Sequence, residues 1–319
     1  MDGGSVNPEQ IAAGAEDWLT PPALLQLDYI PPPDALVPFV TTFYHFRCEE
    51  RDIRDVQPAA VGHVLVFLAG EGEMLFEGGR RDSSHPVSVL TPGSQAAPIA
   101  VNGPFYCIGA ALSPLGWAAL TGLHAGDWSD RLVAADELFG PEIVTLGDKM
   151  RADYGAGRAS GASLCAELGA FLLPRLRPVN PRHAALIRNV AEWLGTSLTP
   201  EIEDLVRQSG YSVRQLQRLC ERYFGLPPVR LARKYRALRV VALLGQPDVP
   251  DALVAELVDH FYDQSHMIRE IRTFAGRTPG RLLGDDGSIL SALLDIRNFR
   301  EITPQVAAMP PLASGSEDD

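Results

Sequence analysis

Ser212-Val213-Arg214-Gln215-Leu216-Gln217-Arg218-Leu219-Cys220-Glu221-Arg222-Tyr223-Phe224-Gly225 decides how the C-terminal third of this 319-residue chain is read. Leu216, Leu219 and Tyr223 recur at helical spacing and make one apolar stripe. Ser212 is a competent N-cap, since its hydroxyl can accept from a free first-turn N–H. Gly225 suits the left-handed residue that closes a helix, and Pro227-Pro228 follow where a helix cannot continue. Arg214, Gln215, Gln217 and Arg218 lie off the stripe, toward solvent. Arginine and glutamine best match the hydrogen-bonding edges of guanine and adenine. An ordinary amphipathic helix with a solvated polar face fits the same residues, so this helix alone does not decide.

The flanking sequence does. Thr199-Pro200-Glu201 predicts a helix start, with Thr199 as cap and Ile202, Leu205 and Val206 as the inner stripe. That helix stops at Ser209-Gly210, and helix, Gly-containing turn, polar-faced second helix is the form of a helix-turn-helix. The design recurs 51 positions downstream. Ser212 meets Asp263, Leu216 meets Met267 and Arg218 meets Arg269. Gly225 meets Gly276, Pro228 meets Pro279, Arg230 meets Arg281 and Leu231 meets Leu282. A long helix over 229–244 joins the two units, and packing alone is a poor explanation for such a duplication.

The region from Arg182 to about residue 284 resembles the DNA-binding domain of AraC/XylS-type transcription regulators. The resemblance is carried by Ser209-Gly210-Tyr211-Ser212-Val213-Arg214-Gln215-Leu216-Gln217-Arg218, by Tyr262-Asp263-Gln264-Ser265-His266-Met267-Ile268-Arg269-Glu270 and by the closing Gly276-Arg277-Thr278-Pro279. It implies double-stranded DNA as partner, with the second helix of each unit in successive major grooves. Carried over by position, Arg214, Gln217 and Arg218 are the contacts of the first unit, with Ser212 and Gln215 next in rank. Gln264, Ser265, His266 and Arg269 are those of the second. The competing role for Arg218 and Arg269 is an ion pair with Glu221 or Glu270. Arg230, Arg233, Lys234, Arg236 and Arg239 on the joining helix read equally as phosphate contacts or as a solvated basic face. Two departures touch the second unit: His260 stands where the family usually has Gly, and Glu256 where it packs a small apolar residue. They predict that the first unit dominates specificity.

Residues 36–112 read as strands, among them 39–46, 61–68, 74–76, 87–90 and 105–112, with Gly/Pro turns. This predicts a small barrel or sandwich. The segment resembles, more loosely, the cupin-like sensory half of many such regulators. That implies effector binding, homodimerisation or both for this half, with a small molecule as the candidate effector, and for the whole chain a transcription regulator, activator or repressor, with RNA polymerase as a candidate partner. The expected class is α+β: residues 1–20 as a polar lead-in, 21–178 as the cupin-like half, 182–284 as the DNA-binding half, and 285–319 as a helix (289–300) with an acidic tail. Residues 127–133 read as irregular, 134–139 and 141–151 as helical, and 163–176 as a helix. Its Leu164, Leu168, Phe171 and Leu172 either pair two subunits or pack on their own barrel.

Composition narrows the classes. The net charge of −12 taken whole argues against nucleic acid, but residues 182–284 carry 15 Arg and Lys against 11 Asp and Glu, a local +4. Residues 1–181 carry −11 and the tail −5. Phosphate binding depends on the local patch. Cys48, Cys107, Cys165 and Cys220 have no zinc spacing and read as reduced thiols of a cytoplasmic protein, with no leader and no membrane span. The alternative function is a cupin-type metal enzyme with a helical accessory domain. It needs His45, His63 and His85 to converge, yet each stands isolated and reads as a surface or strand-edge residue. The expectation is no enzyme, no metal and no cofactor. An interaction protein that has lost DNA binding is the third class.

Overall fold

The computed structural model describes Thr20, residues 24–244 and residues 257–276. The expectations for residues 1–19, Glu256, Thr278-Pro279, Arg281, Leu282, the helix over 289–300 and the acidic tail fall outside these. The chain is α+β, with a sheet-rich N-terminal half followed by helices and a helical C-terminal part.

The sheet has eight strands: β1 (Leu25–Ile30), β2 (Val40–Cys48), β3 (Asp52–Gln57), β4 (His63–Leu75), β5 (Arg81–Ser83), β6 (Val87–Leu90), β7 (Ala97–Leu112) and β8 (Leu132–Ala134). Every pairing is antiparallel. Two long strands, β4 and β7, form its spine. One half of β7 pairs with β3 through Ala97–Asn102 and the other with β2 through Phe105–Leu112. Along β4, β6 pairs with His63–Val66 and β5 with Glu73–Leu75. The β4–β7 register slips between Phe67 and Glu71, and such bulges bend a strand. The sheet is therefore two halves sharing a bent spine.

Two strands depart from the sequence reading. β1 lies in what looked like an extended proline-rich lead-in. β3 falls within the stretch read as strands although none of the quoted runs covers it, and its charges are accommodated: Arg54 is only 7% exposed and makes a bidentate pair with Asp52. β8 occupies part of a stretch expected to be irregular, where its pairing with β6 decides.

One face of the sheet is covered by helices. Val64 and Val66 of β4, with Ile108, Ala110 and Leu112 of β7, join Ile143 and Met150 of α3 (Glu142–Gly155) and Leu164, Leu168 and Leu172 of α4 (Gly161–Leu172) in one core. In the chain, α1 (Pro114–Thr121) and α2 (Asp136–Phe139) precede α3. The apolar stripe of α4 thus packs on its own sheet, and Arg175 lies 3.4 Å from the centroid of the Phe171 ring.

The C-terminal part comprises α5 (Pro181–Thr196), α6 (Ile202–Ser209), α7 (Val213–Phe224), α8 (Pro228–Leu244) and α9 (Gln264–Ala275). Its core gathers Trp193, Leu205, Leu216, Tyr223, Leu231, Leu238, Met267 and Phe274. Thr199 is not the cap of α6. Glu201, in extended conformation, holds that place, and its carbonyl accepts from Trp193 Nε1 at 2.7 Å.

Gly210 and Gly276 close α6 and α9 with φ of +69° and +77°. A Cβ on Gly210 would meet nothing within 4 Å, whereas one on Gly276 would lie 2.2 Å from Val56 Cγ1 of β3. Gly210→Ala should therefore cost only the left-handed backbone term, about 1 kcal/mol. Gly276→Ala should cost about 1–3 kcal/mol more, by crowding the sheet. Urea unfolding of both variants measures the difference; equal losses would mean that α9 does not seat on β3.

Candidate nucleic-acid interface

α7 is built as its sequence demands. Ser212 accepts from Gln215 N, and Gln215 Oε1 accepts from Ser212 N at 3.0 Å, a reciprocal capping box. Gly225, at φ +82°, closes the helix. Leu216, Leu219 and Tyr223 are buried, while Ser212, Arg214, Gln215, Gln217 and Arg218 are exposed. The box redefines two candidates: the Ser212 hydroxyl and the Gln215 amide oxygen are spent on the helix start.

α9 repeats the plan with Asp263, which accepts from His266 N at 2.6 Å. Gln264, Ser265 and Arg269 are exposed. His266 is half-buried, its Nε2 3.7 Å from Glu270 Oε2 and its ring edge-on to Phe261. The turn before α9 does not use a left-handed His260. Among the described residues outside glycine, only Asp130 has positive φ. The turn instead closes through Phe261 N to Val258 O at 2.9 Å. Arg214, Arg218 and Arg269 form no ion pair among the described residues; Glu270 takes Arg233 and Arg236 instead. Two apolar side chains were missed as candidates. Val213 is 50% exposed and Tyr262 is 92% exposed, at the entries to α7 and α9. Tyr262 is the 51-residue match of half-buried Tyr211, so the repeat marked the position but not its exposure.

The two helices share an anchor. In the last turn of α7, the Glu221 and Arg222 carbonyls accept from Gly126 N at 3.0 Å and Ala125 N at 2.8 Å. In the last turn of α9, the Thr273 and Phe274 carbonyls accept from Ala96 N and Ala59 N, both at 2.8 Å. All four donors belong to the N-terminal half. Carbonyls leave a helix along its axis at the C-terminal end. Both helices therefore point their first turns, with Arg214 and Gln217 or Gln264 and Ser265, away from the sheet-bearing half.

Residues 205–284 match the family model of a helix-turn-helix domain. The chain carries an AraC-type helix-turn-helix domain. No curated protein matches the chain. Among solved structures, ToxT from Vibrio cholerae O395 is similar at 9% identity and a TM-score of 0.42, covering 82% of this chain and 97% of that one. ToxT bound to (E)-4-(8-methylnaphthalen-1-yl)but-3-enoic acid gives 9% identity, a TM-score of 0.43 and coverages of 81% and 98%. The AraC-like transcriptional activator CuxR gives 11% identity, a TM-score of 0.30 and coverages of 70% and 89%.

In the AraC-type domain most of the basic residues of α8 turn inward. Lys234 is 2% exposed and donates to Ala60 O at 3.2 Å and Gly93 O at 3.0 Å. Arg239 donates to Leu194 O and Ser197 O, and burial lowers its pKa to about 10. Arg236 makes a bidentate pair with Glu270 and reaches His260 O. Arg233 is exposed but holds Glu270 Oε2 at 2.8 Å. Arg230 is exposed. The equal weighting of phosphate contact and solvated face thus missed the main role of this row, which is to tie α8 to α5, α9 and the sheet.

The histidines of the enzyme alternative do not converge. His45 and Tyr44 are neighbours on β2 and so face opposite sides of the sheet. His45 is 5% exposed and packs where a Cβ on Gly161 of α4 would lie, whereas Tyr44 holds His63 Nδ1 at 3.0 Å on the other side. Neither is the surface residue its sequence suggested. Among the described residues, no three His, Cys, Asp or Glu side chains gather to hold a metal. The four cysteines are free and buried, and burial pushes the thiols of Cys165 and Cys220 up to about 12. Among the described residues, no helix is long and apolar enough to cross a membrane.

Glu270 is 1% exposed and faces two guanidinium groups. Glu270→Gln should lower stability by about 3 kcal/mol, because it leaves a largely buried Arg236 without its counter-charge. Denaturant unfolding reads this directly; a loss below about 1 kcal/mol would show that the hub is not structural.

Proposed function

We propose that the chain is a sequence-specific transcription regulator that inserts α7 and α9 into successive major grooves on one face of a duplex. The observation that carries this is the common anchor: two Arg/Gln-bearing helices fixed by their C-terminal carbonyls to one body, with their first turns directed away from it. Two grooves on one face lie roughly 34 Å apart along the axis. Arg214, Gln217 and Arg218 are the base or phosphate contacts of the first unit, and Gln264, Ser265 and Arg269 those of the second. Val213 and Tyr262 offer apolar surface for thymine methyls. His266, leaning on Glu270, supports the helix more than it reads bases. The N-terminal half serves as the sensor, and regulation involves a small-molecule effector. The reading includes a homodimer, whose pairing surface is not the α4 stripe, since that stripe is buried.

The test starts with genomic fragments selected by the purified full-length chain. Arg214→Ala and Arg218→Ala should each weaken binding by about 1–3 kcal/mol and relax selectivity at one base pair. Arg269→Ala should cost less, because the first unit dominates. A gel-shift series in increasing salt checks that phosphate contacts contribute. A larger loss from Arg269→Ala would reverse the ranking, and retention of no fragment would sink the regulator reading.

A further inference from the structure

The helix-free side of the sheet holds a partly open cavity of about 130 Å³ between the two halves of the bent spine. Its wall comes from alternate positions along the strands, including Phe46 of β2, Ile53 of β3, Phe67 of β4 and Val101 and Phe105 of β7. A dry apolar cavity of about 150 Å³ holds one benzene-sized ring. Among the described residues no lysine or arginine lines this one, and Glu73 at its border is ion-paired with Arg81 at 3.1 Å. Gln57 and Ser84 are further polar neighbours.

Within the wall sits one polar pair, Tyr44 and His63. Gly109 of β7 makes room for the Tyr44 ring, since a Cβ there would lie 2.0 Å from Tyr44 Cζ. Burial, with Lys234 nearby, lowers the His63 pKa to about 4, and burial raises that of Tyr44. Both are therefore uncharged at neutral pH. With the Tyr44 hydroxyl donating to Nδ1, the ring proton sits on Nε2. Nε2 has no hydrogen-bond partner among the described residues.

The wall also leads to the DNA-binding part. β3 ends at Gln57 on the cavity, and Ala59 and Ala60 follow, holding Phe274 N-terminal to Gly276 and the Lys234 ammonium. β6 ends at Leu90 on the cavity, and Gly93 and Ala96 follow, holding Lys234 and Thr273. Two cavity strands thus run straight into the two loops that seat α8 and α9.

We propose that this cavity binds an uncharged single-ring compound bearing one hydroxyl, placed against the Tyr44–His63 pair, and that its occupancy is passed to α8 and α9 through residues 57–60 and 90–96. This deepens the sensor role assigned above and rests on it. The class follows from the wall. A ring fills the apolar volume and a hydroxyl uses the spare His63 hydrogen bond. A carboxylate finds no cation among the described residues of the wall.

Calorimetric titration of the full chain with phenol, toluene and benzoate tests the class. Phenol should bind about tenfold more tightly than toluene, the ratio expected for one buried hydrogen bond. Benzoate should bind more weakly than either. Val101→Phe, which fills the cavity, should abolish phenol binding. His63→Leu should bring phenol down to the toluene level and leave toluene unchanged. Absence of phenol binding, benzoate as tight as phenol, or full phenol binding by Val101→Phe would each overturn the proposal, and the last two need no folded His63 variant. Phenol should also change affinity for the selected DNA fragment at least threefold in the parent chain and not in Val101→Phe; no change would overturn the coupling. A chain that titrates phenol but retains no DNA fragment would instead refute the regulator reading and leave the cavity assignment standing.

Discussion

The arrangement of the DNA-binding part depends on one constraint: the last carbonyls of α7 and α9 are tied to backbone amides of the N-terminal half, Glu221 O taking Gly126 N beside its own Gly225 cap. A helix leaves its final C=O groups unsatisfied, and burying them unpaired is costly. Here Ala125 and Gly126 serve one helix, and Ala59 and Ala96 the other. Because the partners are backbone amides, the solution is independent of side-chain identity but strict about position. It also orients the helix dipoles, with the negative ends on the sheet-bearing half and the positive ends outward. That polarity favours an anion at the outer ends, as a phosphate backbone would provide.

Charge reinforces the same polarity. The N-terminal 181 residues carry a net −11 and the DNA-binding part +4. Much of the positive charge is committed within the molecule: Arg233 and Arg236 neutralise Glu270, Lys234 is sunk between two loops and Arg239 caps α5. Among the described residues, Arg214, Arg218 and Arg269 are exposed and form no ion pair. An acidic body beside a locally basic part disfavours loose coating of DNA and favours a single docked pose.

How much of this was legible follows the kind of signal. α7, α9 and their glycine stops were plain because caps, 3.6-residue stripes and closing glycines are local, and because the plan occurs twice. The sheet was legible where strands are apolar, as in Phe43–Phe46 or Val64–Leu68, and hidden where pairing is non-local. β3 needs the Asp52–Arg54 pair and β7 before its charged sequence makes sense as a strand. Likewise the inward turn of Lys234 and Arg236 could not be read from α8, because their partners Ala60, Gly93 and Glu270 lie far along the chain. Sequence showed which face of a helix is polar but not whether that face meets water, another helix or DNA.

That distinction also explains why the two units are not equivalent. In α7 the capping box is made by Ser212 and Gln215, so the long polar side chains left uncommitted on its exposed face are Arg214, Gln217 and Arg218. In α9 the cap is a carboxylate with no reciprocal partner shown, and His266 is drawn toward Glu270, the same carboxylate that receives two arginines from α8. Any displacement of α9 therefore disturbs the Glu270 hub, and any displacement of the loops at Ala59 and Ala96 disturbs α9. α7 touches the N-terminal half at a different place, Ala125–Gly126, with no such hub behind it. The loops at Ala59 and Ala96 thus bear on α9 and its Glu270 hub, and the Ala125–Gly126 turn bears on α7.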